Sequence, residues 1–304
     1  MKKCNSRWGG KMGVVGFVFV SACVAMTAGN GVAANLTWDI ASGDGGTITD
    51  GSGYWTHGGG NWNDGSGNVS WNNAAVDNAI IGSGGTAGTL TLGSSITAGT
   101  LNFGVASGSY TINIPGLSLA VNGISGSGTI NNSTGNGTLT VGNGNASSSF
   151  GGTLTDSSGT LSLFKTGSGT FTLTGTLSTL SGPTTVSGGI LALNAGQLYN
   201  GSWGPSAVTI NNGAIVEVGG WADGDTASGK GLGKVLFNSQ YLQFNGGTLR
   251  YTGSATSGQA DRGFTIGVNG ATLEAAGGNT FRISAERSNP IVNDPGGTLT
   301  LSGA

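Results

Sequence analysis

The chain has 304 residues, 63 of them Gly, with 36% hydrophobic side chains, only 8% charged ones and a formal charge of −2 at neutral pH. It holds enough apolar material to bury a core, which excludes a disordered polar tract, and it is poor in the Lys, Glu and Arg on which ordinary helical domains draw. Thr, Ser, Gly, Asn, Val, Ile and Leu dominate, residues that favour strands and tight turns, so the composition predicts an all-β protein.

Residues 1–34 differ in character from the rest of the chain. Lys2, Lys3, Arg7 and Lys11 precede an apolar run from Met12 to Met26, and small residues close the segment through Ala33 and Ala34. This is the order of an export signal, with signal-peptidase cleavage expected after Ala34, because Val32 and Ala34 fill the small-residue slots. The apolar run is shorter than the roughly 20 residues needed to span a bilayer. A second reading comes from Val20-Ser21-Ala22-Cys23, which resembles the lipobox of bacterial lipoproteins and would make Cys23 a lipidated N-terminus. Both cysteines, Cys4 and Cys23, lie in this segment, so neither a disulfide nor a Cys-ligated metal is expected after Ala34. Its basic residues leave with it, and the acidic remainder argues against nucleic acid or an anionic membrane as partner.

Residues 35–88 gather Trp38, Trp55, Trp62 and Trp71 with Tyr54 and the single histidine, His57. An aromatic-rich first unit suits the N-terminal cap of a repetitive protein, whose open end would otherwise expose strand edges and core. Exposed aromatic faces also stack on sugars, which makes Trp55, Trp62 and Trp71 candidate carbohydrate contacts; the competing reading packs them inside the cap.

From residue 89 to 304 short alternating runs recur: Thr89–Gly93, Thr100–Gly104, Leu117–Val121, Gly137–Gly142, Gly159–Leu163 and Gly169–Leu173. Later runs are Thr185–Leu193, Val208–Ile210, Ala214–Val218, Leu242–Phe244, Thr248–Tyr251, Phe264–Val268, Ala271–Glu274, Phe281–Ile283 and Thr298–Leu301. Apolar residues at i and i+2 predict strands with one buried face. Steps such as Gly188-Gly189, Asn211-Asn212-Gly213 and Gly246-Gly247 supply the positive φ of sharp corners. An antiparallel sandwich and a parallel β-helix both use short strands with glycine corners. The similarity and open-ended repetition of the runs favour the β-helix, in which coils stack at about 4.8 Å with Leu, Val and Ile inside and Thr, Ser and Asn in ladders outside.

The stretch from Leu163-Phe164-Lys165-Thr166-Gly167-Ser168-Gly169-Thr170-Phe171-Thr172-Leu173 to Gly188-Gly189-Ile190-Leu191-Ala192-Leu193 resembles the autotransporter-associated β-strand repeat, also called the passenger-associated transport repeat. The family pattern is a Lys, a Gly-x-Gly-Thr, alternating leucines, then Gly-x-Thr-x-Val and Gly-x-Leu-x-Leu. The copy covers about 162–194 and departs from the pattern at Thr179-Leu180-Ser181, where Asn-x-Tyr-x-Gly is usual. Residues 296–304 resemble the start of a truncated second copy, and Trp55, Asn61-Trp62 and Trp71 before Asp77 resemble the opening of long secreted proteins that carry such repeats.

The resemblance implies a right-handed parallel β-helical passenger, exported and then displayed on, or released from, the surface of a Gram-negative-type bacterium. It implies a structural or adhesive role, with host or environmental surface polysaccharide or protein as partner. It also implies translocation machinery or a C-terminal barrel or anchor that completes the protein. In that family the repeat is linked to passenger folding and transport and not to a reaction.

Catalytic chemistry is thin. Asp223 and Asp225, or Asp261-Arg262 with Glu274, could serve as carboxylate pairs of a polysaccharide lyase or glycoside hydrolase, and a carbohydrate-binding or polysaccharide-degrading β-helix is the alternative function. The plainer reading gives these residues to a turn and a surface ion pair. Between residues 89 and 200 the charged side chains are Asp156 and Lys165, too few for a charged groove. Residues 224–230 have the spacing of a phosphate loop, but Gly231 stands where Ser or Thr must reach Mg²⁺. Asp44, Asp50 and the Asp223/Asp225 turn offer oxygen ligands without a full calcium-binding repeat, and His57 has no second ligand to join it. No cofactor, metal or catalytic residue is assigned, and the protein is expected not to be an enzyme.

Overall fold

The computed structural model describes residues 33–303 except 45, 176–177, 194–197, 199–206, 221–230, 233–238, 254–257, 261–262 and 284–290. The export segment, with Cys4 and Cys23, therefore lies outside the described residues save for Ala33 and Ala34. Ala34 leads directly into the first strand: its N–H donates to Asp77 Oδ1 (2.8 Å) and its carbonyl accepts from Asn78 N (2.8 Å).

The described chain is a parallel β-solenoid. The run-and-corner pattern of the sequence builds it, because each short strand buries one face and each glycine corner hands the chain to the next sheet. Going up the stack, eleven strands of a 13-stranded sheet are parallel: Asn35–Trp38, Asn78–Thr86, Ile96–Ser107, Ser118–Ser125, Asn136–Val141, Thr160–Lys165, Thr184–Val186, Val208–Asn211, Leu242–Asn245, Phe264–Ile266 and Ile291–Asn293. A five-stranded sheet takes Gly53–Trp55, Thr89–Leu92, Thr111–Asn113, Thr129–Asn132 and Thr153–Asp156. A seven-stranded sheet takes Ser148–Phe150, Thr170–Leu173, Ile190–Leu193, Ile215–Val218, Thr248–Tyr251, Ala271–Ala275 and Leu299–Gly303. Among the described residues, helix is limited to the single 3₁₀ turn Ser239–Tyr241.

The seven-stranded sheet begins where a long strand breaks. Ser118–Ser125 runs unbroken, but in the next turn positive φ at Gly142 (108°) and Asn145 (61°) ends Asn136–Val141, and Ser148–Phe150 resumes beside the second half of Ser118–Ser125 through a Gly126–Phe150 bridge. The run Thr185–Leu193 likewise proves to be two strands in different sheets, Thr184–Val186 and Ile190–Leu193. Gly189, at φ 59°, turns the corner between them, a conformation that side-chain-bearing residues rarely adopt.

Many groups bonded across turns are 23 or 24 residues apart, as at Thr129–Thr153, Asn145–Ser168 and Asn245–Asn269. Between Asn211 and Asn245, and between Glu217 and Arg250, the spacing grows to 34 and 33. The extra length falls in the stretch that contains Asp223 and Asp225.

Inward positions stack like on like. Ile96, Leu119, Leu139 and Leu163 form one buried column, and Leu90, Ile112, Ile130 and Leu154 form another in the five-stranded sheet. In the seven-stranded sheet Phe171, Leu191, Val216, Leu249, Leu273 and Leu301 are in register, buried as far as Leu273.

The cap segment 35–88 is continuous with this stack. Asn35–Trp38 and Asn78–Thr86 pair in parallel within the large sheet, and Gly53–Trp55 pairs with Thr89–Leu92. What marks the segment as an end is the antiparallel pairing of Trp62–Asn63 to Asn35–Trp38 and of Asn68–Val69 to Trp62–Asn63. These strands occupy the edge that a further parallel turn would need.

Candidate functional site

Two features of the stack carry chemistry: outer ladders of polar side chains and the corner around Lys165 within residues 163–193. On the five-stranded sheet the alternation that buries Leu90, Ile112, Ile130 and Leu154 turns the flanking residues outward. One outward row is Thr89, Thr111, Thr129 and Thr153; the other is Tyr54, Thr91, Asn113, Asn131, Thr155 and Thr179. Neighbours along the rows bond to each other: Thr129 Oγ1 to Thr153 Oγ1 (3.2 Å), Asn131 Nδ2 to Asn113 Oδ1 (3.4 Å) and Thr155 Oγ1 to Thr179 Oγ1 (2.7 Å). The rows hold no charged residue and present hydroxyl, methyl and amide groups at the spacing of stacked strands, about 4.8 Å. Tyr54, 67% exposed, ends the second row with an open aromatic ring.

The aromatic residues singled out in the sequence sit elsewhere. Trp55, Trp62 and Trp71 are 0%, 1% and 1% exposed, and Trp38 joins them. Ring centroids lie 4.8 Å apart for Trp55–Trp62, 4.7 Å for Trp62–Trp71, 4.9 Å for Trp55–Trp71 and 5.4 Å for Trp38–Trp62. With their faces covered by one another, the three indoles offer a sugar no stacking surface, and packing replaces the carbohydrate-contact reading. Strand alternation identifies the aromatic that does face outward: Trp55 inward requires Tyr54 outward. His57 is exposed, its Nδ1 accepting from Asn73 N (3.3 Å).

The candidate carboxylates separate in the same way. Asp223, Asp225, Asp261 and Arg262 lie outside the described residues. Glu274 is engaged with Arg250: Arg250 Nε donates to Glu274 Oε1 (2.8 Å) and its Nη1 to Glu217 Oε1 (2.9 Å). These three are in register on successive strands of the seven-stranded sheet, so the cation bridges the turns on either side. Asp50 is a structural acceptor. Its Oδ1 accepts from Tyr110 Oη (3.0 Å) and its Oδ2 from Ser83 N (2.9 Å) and Gly85 N (2.7 Å). Burial, and then the neighbouring carboxylate of Asp50, pushes the Tyr110 phenol well above its ordinary value. Asp44 is exposed.

Lys165 is the group that composition and spacing least prepared for. It follows Val141 and precedes Val186 in an inward column that continues through Ile210 and Phe244, and it is fully buried. Its Nζ donates to the carbonyl oxygens of Thr166 (2.6 Å), Gly167 (3.2 Å) and Gly188 (3.0 Å). Burial pushes the ammonium below the usual lysine value.

The family model of the passenger-associated-transport-repeat matches residues 163–193, the stretch that contains Lys165. Among curated proteins the chain is similar to the adhesin BmaC autotransporter of Brucella suis biovar 1 (strain 1330), 30% identical over 230 residues. The match takes in 72% of this chain and 6% of that protein, so the chain spans a small part of its relative's length. No solved structure matches the chain.

Proposed function

Because the chain is a passenger-associated-transport-repeat protein of the autotransporter type, we propose that it is an adhesive passenger, secreted or displayed on the surface of a Gram-negative-type bacterium, and that it performs no catalysis. The observation that carries this reading is the placement of the matched repeat. Its strands Thr160–Lys165, Thr170–Leu173, Thr184–Val186 and Ile190–Leu193 are consecutive members of the two long sheets, so the repeat joins two successive storeys of a continuous platform. The uncharged ladder and Tyr54 suit a neutral hydrogen-bonding partner, either a surface polysaccharide or a protein, since bonding groups at a fixed interval engage a repetitive ligand many times weakly. The charge-poor central stretch and the pairing of Glu274 with Arg250 support the non-enzymatic reading.

The test coats beads with the purified full chain and measures their retention on neutral polysaccharides and on surface proteins, assaying sugar release in the same wells. Retention without release is expected, with a several-fold loss in Tyr54→Ala. Release of new sugar ends without retention would replace the passenger reading with the polysaccharide-degrading one.

A further inference from the structure

An ammonium inside an apolar column needs a physical reason, because taking such a charge out of water costs several kcal/mol unless its donors are satisfied. Among the described residues Lys165 has no carboxylate partner; what faces it is backbone. Thr166 and Gly167 supply two carbonyl oxygens from its own turn and Gly188 supplies a third from the next, which matches the three N–H donors of an ammonium one for one. The preceding turn closes the remaining side, since a side chain begun at Gly142 would stand 3.3 Å from Nζ and would also strike the Thr166 carbonyl. Gly167, at φ 67°, packs so closely on Gly142 that a Cβ there would collide with the Gly142 carbonyl. Three turns thus converge on one point, and the absence of side chains lets their carbonyls approach it.

We propose that this corner is a binding site for a primary ammonium group, built from backbone carbonyls of adjacent turns and occupied in cis by Lys165. The lysine is then the ligand of the site, and the turns carrying Thr166 and Gly188 are locked together only while an N–H-donating cation fills it. A lysine merely tolerated in the core differs in a measurable way. Replacing a tolerated buried charge by an apolar side chain of similar length is neutral or stabilising, whereas emptying a cation site strands three oriented carbonyls.

The experiment compares wild type, Lys165→Met and Lys165→Ala in the full chain. Lys165→Met should lower Tm by something on the order of 5–10 °C. Lys165→Ala removes the atoms of a propylammonium ion, so propylammonium chloride should raise its Tm above the value in equimolar tetramethylammonium chloride, which has no N–H to donate. Wild type and Lys165→Met should respond alike to the two salts. In wild type, nitrogen-15 NMR should show one lysine ammonium whose protons exchange slowly, absent from Lys165→Met; this arm stands even where Lys165→Ala does not fold. Lys165→Met as stable as wild type, equal effects of the two salts on folded Lys165→Ala, or rapid exchange at every lysine would each overturn the assignment.

Discussion

Leucines in one column test the stacking account most directly, because Leu249, Leu273 and Leu301 occupy equivalent inward positions on successive strands and differ in what covers them. Leu249 is 0% exposed between Val216 and Leu273, whereas Leu301 is 73% exposed. Truncating a fully buried leucine to alanine loses its transfer free energy and leaves a cavity that packed neighbours fill only in part, about 2.7–5 kcal/mol in all. At Leu301 most of that area already faces water, and the same truncation should cost less than about 0.5 kcal/mol. Urea unfolding followed by circular dichroism gives the global change. Hydrogen exchange gives its reach, which matters because each turn of a solenoid touches only its neighbours. Leu249→Ala should speed exchange at Val216 and Leu273 and leave Leu119 and Leu139 unchanged. Equal losses for the two variants, or exchange quickened evenly from the cap onward, would refute the stacked-column account.

Tyr110→Phe removes the donor to Asp50 and the acceptor of Gly51 N (2.8 Å), and should cost about 1–3 kcal/mol in urea unfolding. The raised phenol of Tyr110 also sets a sign with pH: its contribution to stability is intact below about pH 10, where an unfolded tyrosine ionises, and is lost as pH rises from there toward the higher native value. The urea midpoint should therefore fall above pH 10, and part of that fall should be missing in Tyr110→Phe. For Arg250, double-mutant cycles with Glu217→Gln and Glu274→Gln should give couplings of about 1 kcal/mol, modest because the side chains keep 17–25% exposure, and 1 M salt should shrink them.

The fold class was legible because period two survives in runs as short as Thr138-Leu139-Thr140-Val141, and because corners such as Gly189, Gly213 and Gly246 do take the positive φ that their sequence steps foretell. The five-stranded sheet was largely missed. Thr111–Asn113 and Thr153–Asp156 each carry one inward apolar residue, and a single residue has no period. Pairings across turns were equally hidden. Arg262 lies nearer Glu274 in sequence, but the strand below places Arg250, 24 residues away, directly beside it. Lys165 could be recognised as part of a repeat but not as buried, since its acceptors at Thr166, Gly167 and Gly188 converge only once consecutive turns have stacked.

The polar groups of this solenoid divide into those that fix the stack and those that ride on it. Asn132, fully buried, accepts from Gly116 N (3.1 Å) and donates to Gly135 O and Thr160 O (2.8 Å each), which ties its turn to the ones before and after. Asp156 gathers Leu161 N (2.9 Å) and Ser181 N (2.7 Å) with one oxygen, and Lys165 spans its own turn and the next. Such groups sit at corners, where backbone donors and acceptors leave the sheet ladders and must find partners. Outward hydroxyls such as those of Thr129, Thr153, Thr155 and Thr179 bond to neighbours on the same face, so changing them alters what the platform touches while the corners hold the register. A surface whose stability lies in its corners is free to vary its faces, which is the property an adhesive passenger needs if it is to keep one architecture and meet different partners.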